Sequence, residues 1–191
     1  IEDKGYAHLT KCIPFSGQML TSKPGLFGWE KIDEGSAFLG DFFPEFLSFF
    51  NKEPANILDL GCGYGYLSIR ASQHTKAKIV ATDNNAAAII ACSKNFSALS
   101  LNGEVVASNC ADNIGQLFEA IILFPPFHKG FTTDSELTRQ FVANSYKRLK
   151  PRGMALFVVN RLVPLENYAE KFFKIKLVAD TKRFKLILLI K

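Results

Sequence analysis

The chain has 191 residues, of which 48% are hydrophobic and 21% charged. That is the size and balance of one ordinary globular domain, able to bury roughly 70% of its unfolded surface, and it excludes a disordered chain. The formal net charge is +5, and no apolar run reaches the ~18–20 residues that a membrane-spanning helix needs.

The start, Ile1-Glu2-Asp3-Lys4, has no signal-peptide layout. Residue 1 is not Met, which fits a fragment of a longer chain or a trimmed one. Cys12, Cys62, Cys92 and Cys110 form no Cys-x-x-Cys pair, which argues against a zinc site and a disulfide framework, so we expect a reduced, cytoplasmic protein without metal. Residues 1–50 are irregular, with a helix predicted near 36–50. Its many rings (Phe38, Phe42, Phe43, Phe46, Phe49 and Phe50) are expected to pack rather than do chemistry.

From residue 55 onward, strand-like runs alternate with helical patterns. A strand over 55–60 runs into Gly61-Cys62-Gly63-Tyr64-Gly65 and then a helix to about His74. A second strand spans 78–82, and Asn85 caps a helix over 86–99. Further strands are predicted at 104–108 and 120–123. A helix over 133–149 is expected to stop near Pro151-Arg152-Gly153. Then follow a strand at 154–159, a helix at 165–173 and a terminal hairpin of 176–179 with 184–190.

Continuous Val/Ile/Leu runs imply strands covered on both faces, hence a mostly parallel sheet between helix layers. The predicted fold is α/β, a doubly wound seven-stranded Rossmann-like sheet. One strand near its C-terminal edge is reversed, because the turn at Asp180-Thr181-Lys182-Arg183 is too short for a helical crossover. Ligands of such sheets bind beyond the carboxyl ends of the strands, which singles out the loops after Leu60, Thr82, Ser108 and Leu123.

The glycine turn lets backbone approach a ligand closely. A dinucleotide fingerprint wants a small residue at position 66, where this chain has Tyr66. Asp59, just before the turn, would repel a pyrophosphate and attract an ammonium, which favours S-adenosylmethionine. Asp83, at the end of the next strand, is suited to accept both hydroxyls of a ribose, with Asn84 beside the adenine. Either feature alone is an ordinary turn; their register makes them a ligand site.

The run Phe124-Pro125-Pro126-Phe127-His128 follows another apolar strand, so two prolines stiffen the strand end before an aromatic suited to stacking. It resembles the Asn/Asp-Pro-Pro-Phe/Tyr motif of methyltransferases that act on exocyclic or amide nitrogens. Pro24-Gly25-Leu26-Phe27, Ile32-Asp33-Glu34-Gly35-Ser36, Ala107-Ser108-Asn109 and the segment 181–184 extend the match. Over about residues 20–191 the chain resembles the bacterial ribosomal RNA guanine-N2 methyltransferases, namely methyltransferase C of the small ribosomal particle and methyltransferase G of the large one.

The resemblance implies a class I methyltransferase domain over 51–191, with 1–50 an N-terminal extension and leading helix packed on it. It implies transfer of a methyl group from S-adenosylmethionine to the exocyclic amine of a guanine in ribosomal RNA or a ribosomal subunit. Asp33, Gly35, Ser36, Ser108 and Asn109 would join Asp59, Gly61, Gly63, Gly65, Asp83 and Asn84 around the cofactor. Phe124, Pro125, Pro126 and Phe127 would face the target base. Family members usually carry a second, degenerate copy of the fold ahead of the catalytic one, and this sequence contains no such copy. It also departs at Phe124, where the family has Asn: a phenyl ring accepts no hydrogen bond from the target amine, which costs roughly 1–3 kcal/mol if that donor goes unsatisfied.

A degenerate module that binds cofactor or RNA is the non-catalytic alternative, and a protein glutamine methyltransferase the second enzymatic one. Charge favours RNA: residues 1–128 carry 9 Lys/Arg against 13 Asp/Glu, whereas residues 129–191 carry 14 against 5. Solvated helix ends and edge strands are the plainer source of the same excess.

Overall fold

The computed structural model describes residues 10–125 and 133–191. The chain opens with a hairpin, β1 (Lys11–Phe15) and β2 (Gln18–Ser22), paired antiparallel. Its two-residue loop is Ser16-Gly17, with φ of 48° and 77°, the positive pair that matches the twist of a tight hairpin. Helix α1 (Glu34–Ser48) follows, capped by Asp33, whose Oδ1 accepts from the N–H groups of Gly35 and Ser36.

The remainder alternates: β3 (Asn56–Leu60), α2 (Tyr66–Ser72), β4 (Lys78–Asp83), α3 (Ala86–Ala98), β5 (Gly103–Ala107), β6 (Phe118–Leu123), α4 (Thr133–Arg148), β7 (Leu149–Asn160), α5 (Leu165–Ala169), β8 (Lys174–Asp180) and β9 (Phe184–Ile190). The large sheet has seven strands in the order β5-β4-β3-β6-β7-β9-β8. The pairs from β5 to β7 are parallel, while β9 runs antiparallel to both β7 and β8. The reversed strand expected from the short turn at 180–183 is β9.

Both faces of the sheet are covered, as the continuous apolar runs require. Along β3, Ile57 packs with Phe43, Phe46, Ile69 and Phe96 from α1, α2 and α3. Its neighbour Leu58 points the other way, toward Phe141, Val142 and Leu165 of α4 and α5. The Phe-rich α1 therefore does pack, with Phe43 and Phe46 fully buried.

Three parts of the chain depart from the sequence reading by more than two residues. The hairpin β1–β2 lies where only an irregular extension was expected; the apolar alternation is weak there because each strand buries a single apolar residue, Ile13 and Leu20. Strand β7 begins at Leu149, directly after α4, and runs through Pro151-Arg152-Gly153. A shift in its pairing with β6 absorbs that segment, and Arg152 takes a positive φ of 66°. Helix α5 ends at Ala169, so residues 170–173 are not helical.

Candidate active site

Three strand ends build one cavity of about 260 Å³. The turn after β3 is tied to the end of β4, since the N–H groups of Gly61 and Cys62 both donate to the Thr82 carbonyl at 2.8 and 2.9 Å. Gly63 has φ +54° with nothing within 4 Å of a Cβ position, and its N–H donates to Asp83 Oδ2 at 3.0 Å. Gly65, at φ +90°, starts α2, and a Cβ there would lie 2.8 Å from the Cys92 sulfur. The first glycine role is open backbone at the cavity; the second is close helix packing.

Asp83 is half-buried at the carboxyl end of β4, and Asn85 N–H donates to its other oxygen at 2.9 Å. An ionised carboxylate has about four acceptor positions, so each oxygen keeps one free after these bonds. Asn84 donates to Asn109 Oδ1 at 3.4 Å, and the Ser108 hydroxyl donates to Asp112 at 3.1 Å. Asp33, Ser36, Gly61, Gly63, Asp83, Asn84, Ser108 and Phe124 all line the cavity.

Other expected residues stand back from it. Asp59 is 1% exposed and does not line the wall; its Oδ2 accepts from both the N–H and the hydroxyl of Ser68. Its Oδ1 has no partner among the described residues. Burial lifts its pKa from 3.8 to about 7, against the lowering by Ser68. Asn109 meets the site only through Asn84, and Gly65 packs against α3. Pro125 is buried and not on the wall. Pro126 and Phe127 lie outside the described residues, as does His128.

Gly35 has a packing role. A Cβ on it would sit 2.8 Å from the Phe124 ring and 2.9 Å from Phe184. The Phe124 ring stands edge-on to Phe27, at 5.3 Å between centroids, and to Phe184, at 5.8 Å. Thus the substitution of the motif Asn is accommodated by a small aromatic cluster with glycine beneath it.

The cavity also recruits residues that sequence reasoning passed over: Tyr64 and Tyr66 around the glycine turn, and Leu137 with Phe141 from α4. The i, i+4 spacing of the last two was the available signal. Buried Cys62 is also on the wall, and its thiol is held well above its ordinary pKa, first by its hydrogen bond with Cys92 and then by burial. That disfavours a thiolate nucleophile.

A parallel sheet with one reversed strand, and a glycine turn facing an acidic strand end across a cavity, define an α/β methyltransferase fold. The chain belongs to the methyltransferase small domain family, whose model matches residues 17–188. It is 34% identical over 156 residues to a ribosomal RNA small subunit methyltransferase C from Buchnera aphidicola, covering 81% of this chain and 45% of the relative. It is 30% identical over 176 residues to the protein of that name from Shewanella amazonensis, covering 91% and 50%. The chain therefore spans about half the length of the curated relatives it matches. Among solved structures, a T. thermophilus 16S rRNA N2 methyltransferase in complex with AdoMet and guanosine superposes with a TM-score of 0.83 at 24% identity, covering 95% of this chain and 50% of that one. A Pyrococcus furiosus methyltransferase superposes with a TM-score of 0.74 at 16% identity, covering 93% and 90%.

Proposed function

We propose that this chain uses S-adenosylmethionine to methylate the exocyclic amine of a guanine in ribosomal RNA, in the cytoplasm. We read residues 1–50, of which those from 10 onward are described, as an extension to the catalytic unit 51–191. The observation that carries the reading is the convergence of the glycine turn, Asp83 and Phe124 on one cavity. The names of the relatives support the substrate class.

S-adenosylmethionine, when bound, supplies a methyl group already activated by its sulfonium. The protein's work is then positioning. The open backbone at Gly63 admits a ligand against the turn, and the remaining acceptor positions of Asp83 suit the two ribose hydroxyls. By the motif resemblance alone, the Pro125 carbonyl and Phe127 are assigned to the target amine, once the base has left its stack. The proton leaves to solvent.

Calorimetry with S-adenosylhomocysteine tests the assignment. Asp83→Ala is expected to weaken binding at least about a hundredfold, because two charge-assisted bonds of roughly 1.5 kcal/mol or more vanish together. Unchanged affinity would put the cofactor elsewhere. One observation favours a second reading, in which the chain binds cofactor without transferring its methyl group: Phe124 fills the acceptor position with a packed ring.

A further inference from the structure

The basic excess of the last third divides between the two ends of the sheet. At one end, Arg152, Lys171 and Lys174 surround a cleft at the amino ends of β7 and β8, remote from the cavity. The other group lies beside the cavity. Strands β7 and β8 are both antiparallel to β9, so their carboxyl ends share the side of the molecule with Leu60, Asp83 and Phe124.

Two turns meet there. The turn after β7 is fixed by Asn160, whose side-chain oxygen accepts from Leu162 N–H at 3.0 Å and whose carbonyl accepts from Val163 N–H at 3.0 Å. The turn between β8 and β9 is fixed by Thr181, whose hydroxyl oxygen accepts from the N–H groups of Arg183 and Phe184. Arg161 N–H donates to the Arg183 carbonyl at 2.9 Å, and its guanidinium holds the Thr181 carbonyl and Asp180.

This rigid pair of turns presents three cations and one apolar tip. Lys182 makes no hydrogen bond or ion pair among the described residues and is exposed. Arg183 pairs with Glu34 and Arg161 with Asp180, each with both partners more than 40% exposed, so an incoming phosphate can exchange for either carboxylate at little cost. Leu162 is 87% exposed, higher than any other large hydrophobic side chain among the described residues. Arg183 also lies over the Phe184 ring, at 5.6 Å, and that ring touches Phe124 on the cavity wall.

We propose that these two turns dock the RNA strand flanking the target base, with Arg161, Lys182 and Arg183 on phosphates and Leu162 against an unstacked base. The proposal rests on the reading of the cavity as an RNA base methyltransferase site. Cations that neutralise phosphates, beside an apolar tip that shelters a base face, are what a single strand selects. The turns are held by hydrogen bonds of the Asn160, Thr181 and Arg161 side chains as well as of the backbone, so the surface exists before the strand arrives and little ordering is needed.

Binding of a fluorescent ribosomal RNA fragment, titrated against salt, tests the surface alongside methyl transfer to the same fragment. The double variant Lys182→Ala/Arg183→Ala is expected to bind about tenfold more weakly, with the log–log salt slope reduced by about 1.4 for two single-strand phosphates. Leu162→Ala should lose affinity with the slope unchanged, since no charge is removed. Lys171→Ala/Lys174→Ala, charge-matched at the far end, should bind as the wild type. Equal losses from both double variants, or no loss from the first, overturn the docking surface. Failure of the methyltransferase reading shows separately, as wild-type protein that binds RNA and transfers nothing. Melting temperatures within about 2 °C of one another establish that the variants are folded.

Discussion

Phe124 and Asp59 are the two side chains at which local physics and proposed chemistry pull apart. Phe124 gives up a hydrogen-bond acceptor and gains two edge-on ring contacts over Gly35. Phe124→Asn restores the acceptor and empties the cluster. We expect it to lower stability by about 1–3 kcal/mol, as removal of a half-buried ring does, and to raise single-turnover methyl transfer up to about tenfold. Thermal melting and quenched-flow transfer on one preparation check both; a variant that melts lower with no gain in rate supports the non-catalytic reading. For Asp59 the linkage sign is fixed by the direction of its shift. Its folded pKa of about 7 lies above the ordinary 3.8, so the folded protein holds this proton more tightly than the unfolded chain. The stability it contributes is complete below about pH 4 and is lost as pH rises through 7. Asp59→Asn keeps an acceptor for Ser68 and cannot ionise, so it should melt above the wild type at pH 8, with the difference shrinking toward pH 5. A difference that does not vary with pH would show that the carboxyl is ionised throughout.

At the scale of elements, the glycine turn makes its three glycines unequal. Gly63 has open space where a Cβ would go, whereas Gly65 abuts Cys92 of α3. Both have positive φ, so either substitution to Ala carries about 1 kcal/mol of backbone strain. Only Gly65→Ala also forces α2 and α3 apart, for a total of about 2–4 kcal/mol. Its melting temperature should therefore fall several degrees further than that of Gly63→Ala; equal falls would mean that packing against Cys92 is not limiting. The turn itself was legible because a strand, three glycines and a helix follow in order. The N-terminal hairpin was not, although Ser16-Gly17 is a turn signal, because its strands bury too little to alternate visibly. Its anchor is non-local: Asn95 of α3 bonds the N–H and carbonyl of Thr21 in β2 and the Tyr64 carbonyl in the glycine turn. No local pattern announces a contact between residues 74 positions apart. The same limit hid the packing role of Gly35, which depends on Phe124 and Phe184 meeting above it.

On the scale of the whole molecule, the sheet was readable because burial on both faces leaves continuous apolar runs, and a tight turn between β8 and β9 leaves no room for a crossover. Its strand order gathers Asp33, Asp83, Ser108 and Phe124, distant in sequence, on one cavity at the carboxyl ends. Charge was legible only in sum. The positive third is folded to both ends of the sheet, and proximity to the cavity, which sequence does not display, separates the two groups. The central claim is methyl transfer to a guanine amine, and mass spectrometry of nucleosides tests it most directly. Deproteinised ribosomal RNA and isolated ribosomal subunits are incubated with the protein and isotopically labelled S-adenosylmethionine, then digested. The account predicts labelled N2-methylguanosine that disappears with Asp83→Ala; label in any other nucleoside, or none above the control without protein on either substrate, would contradict it.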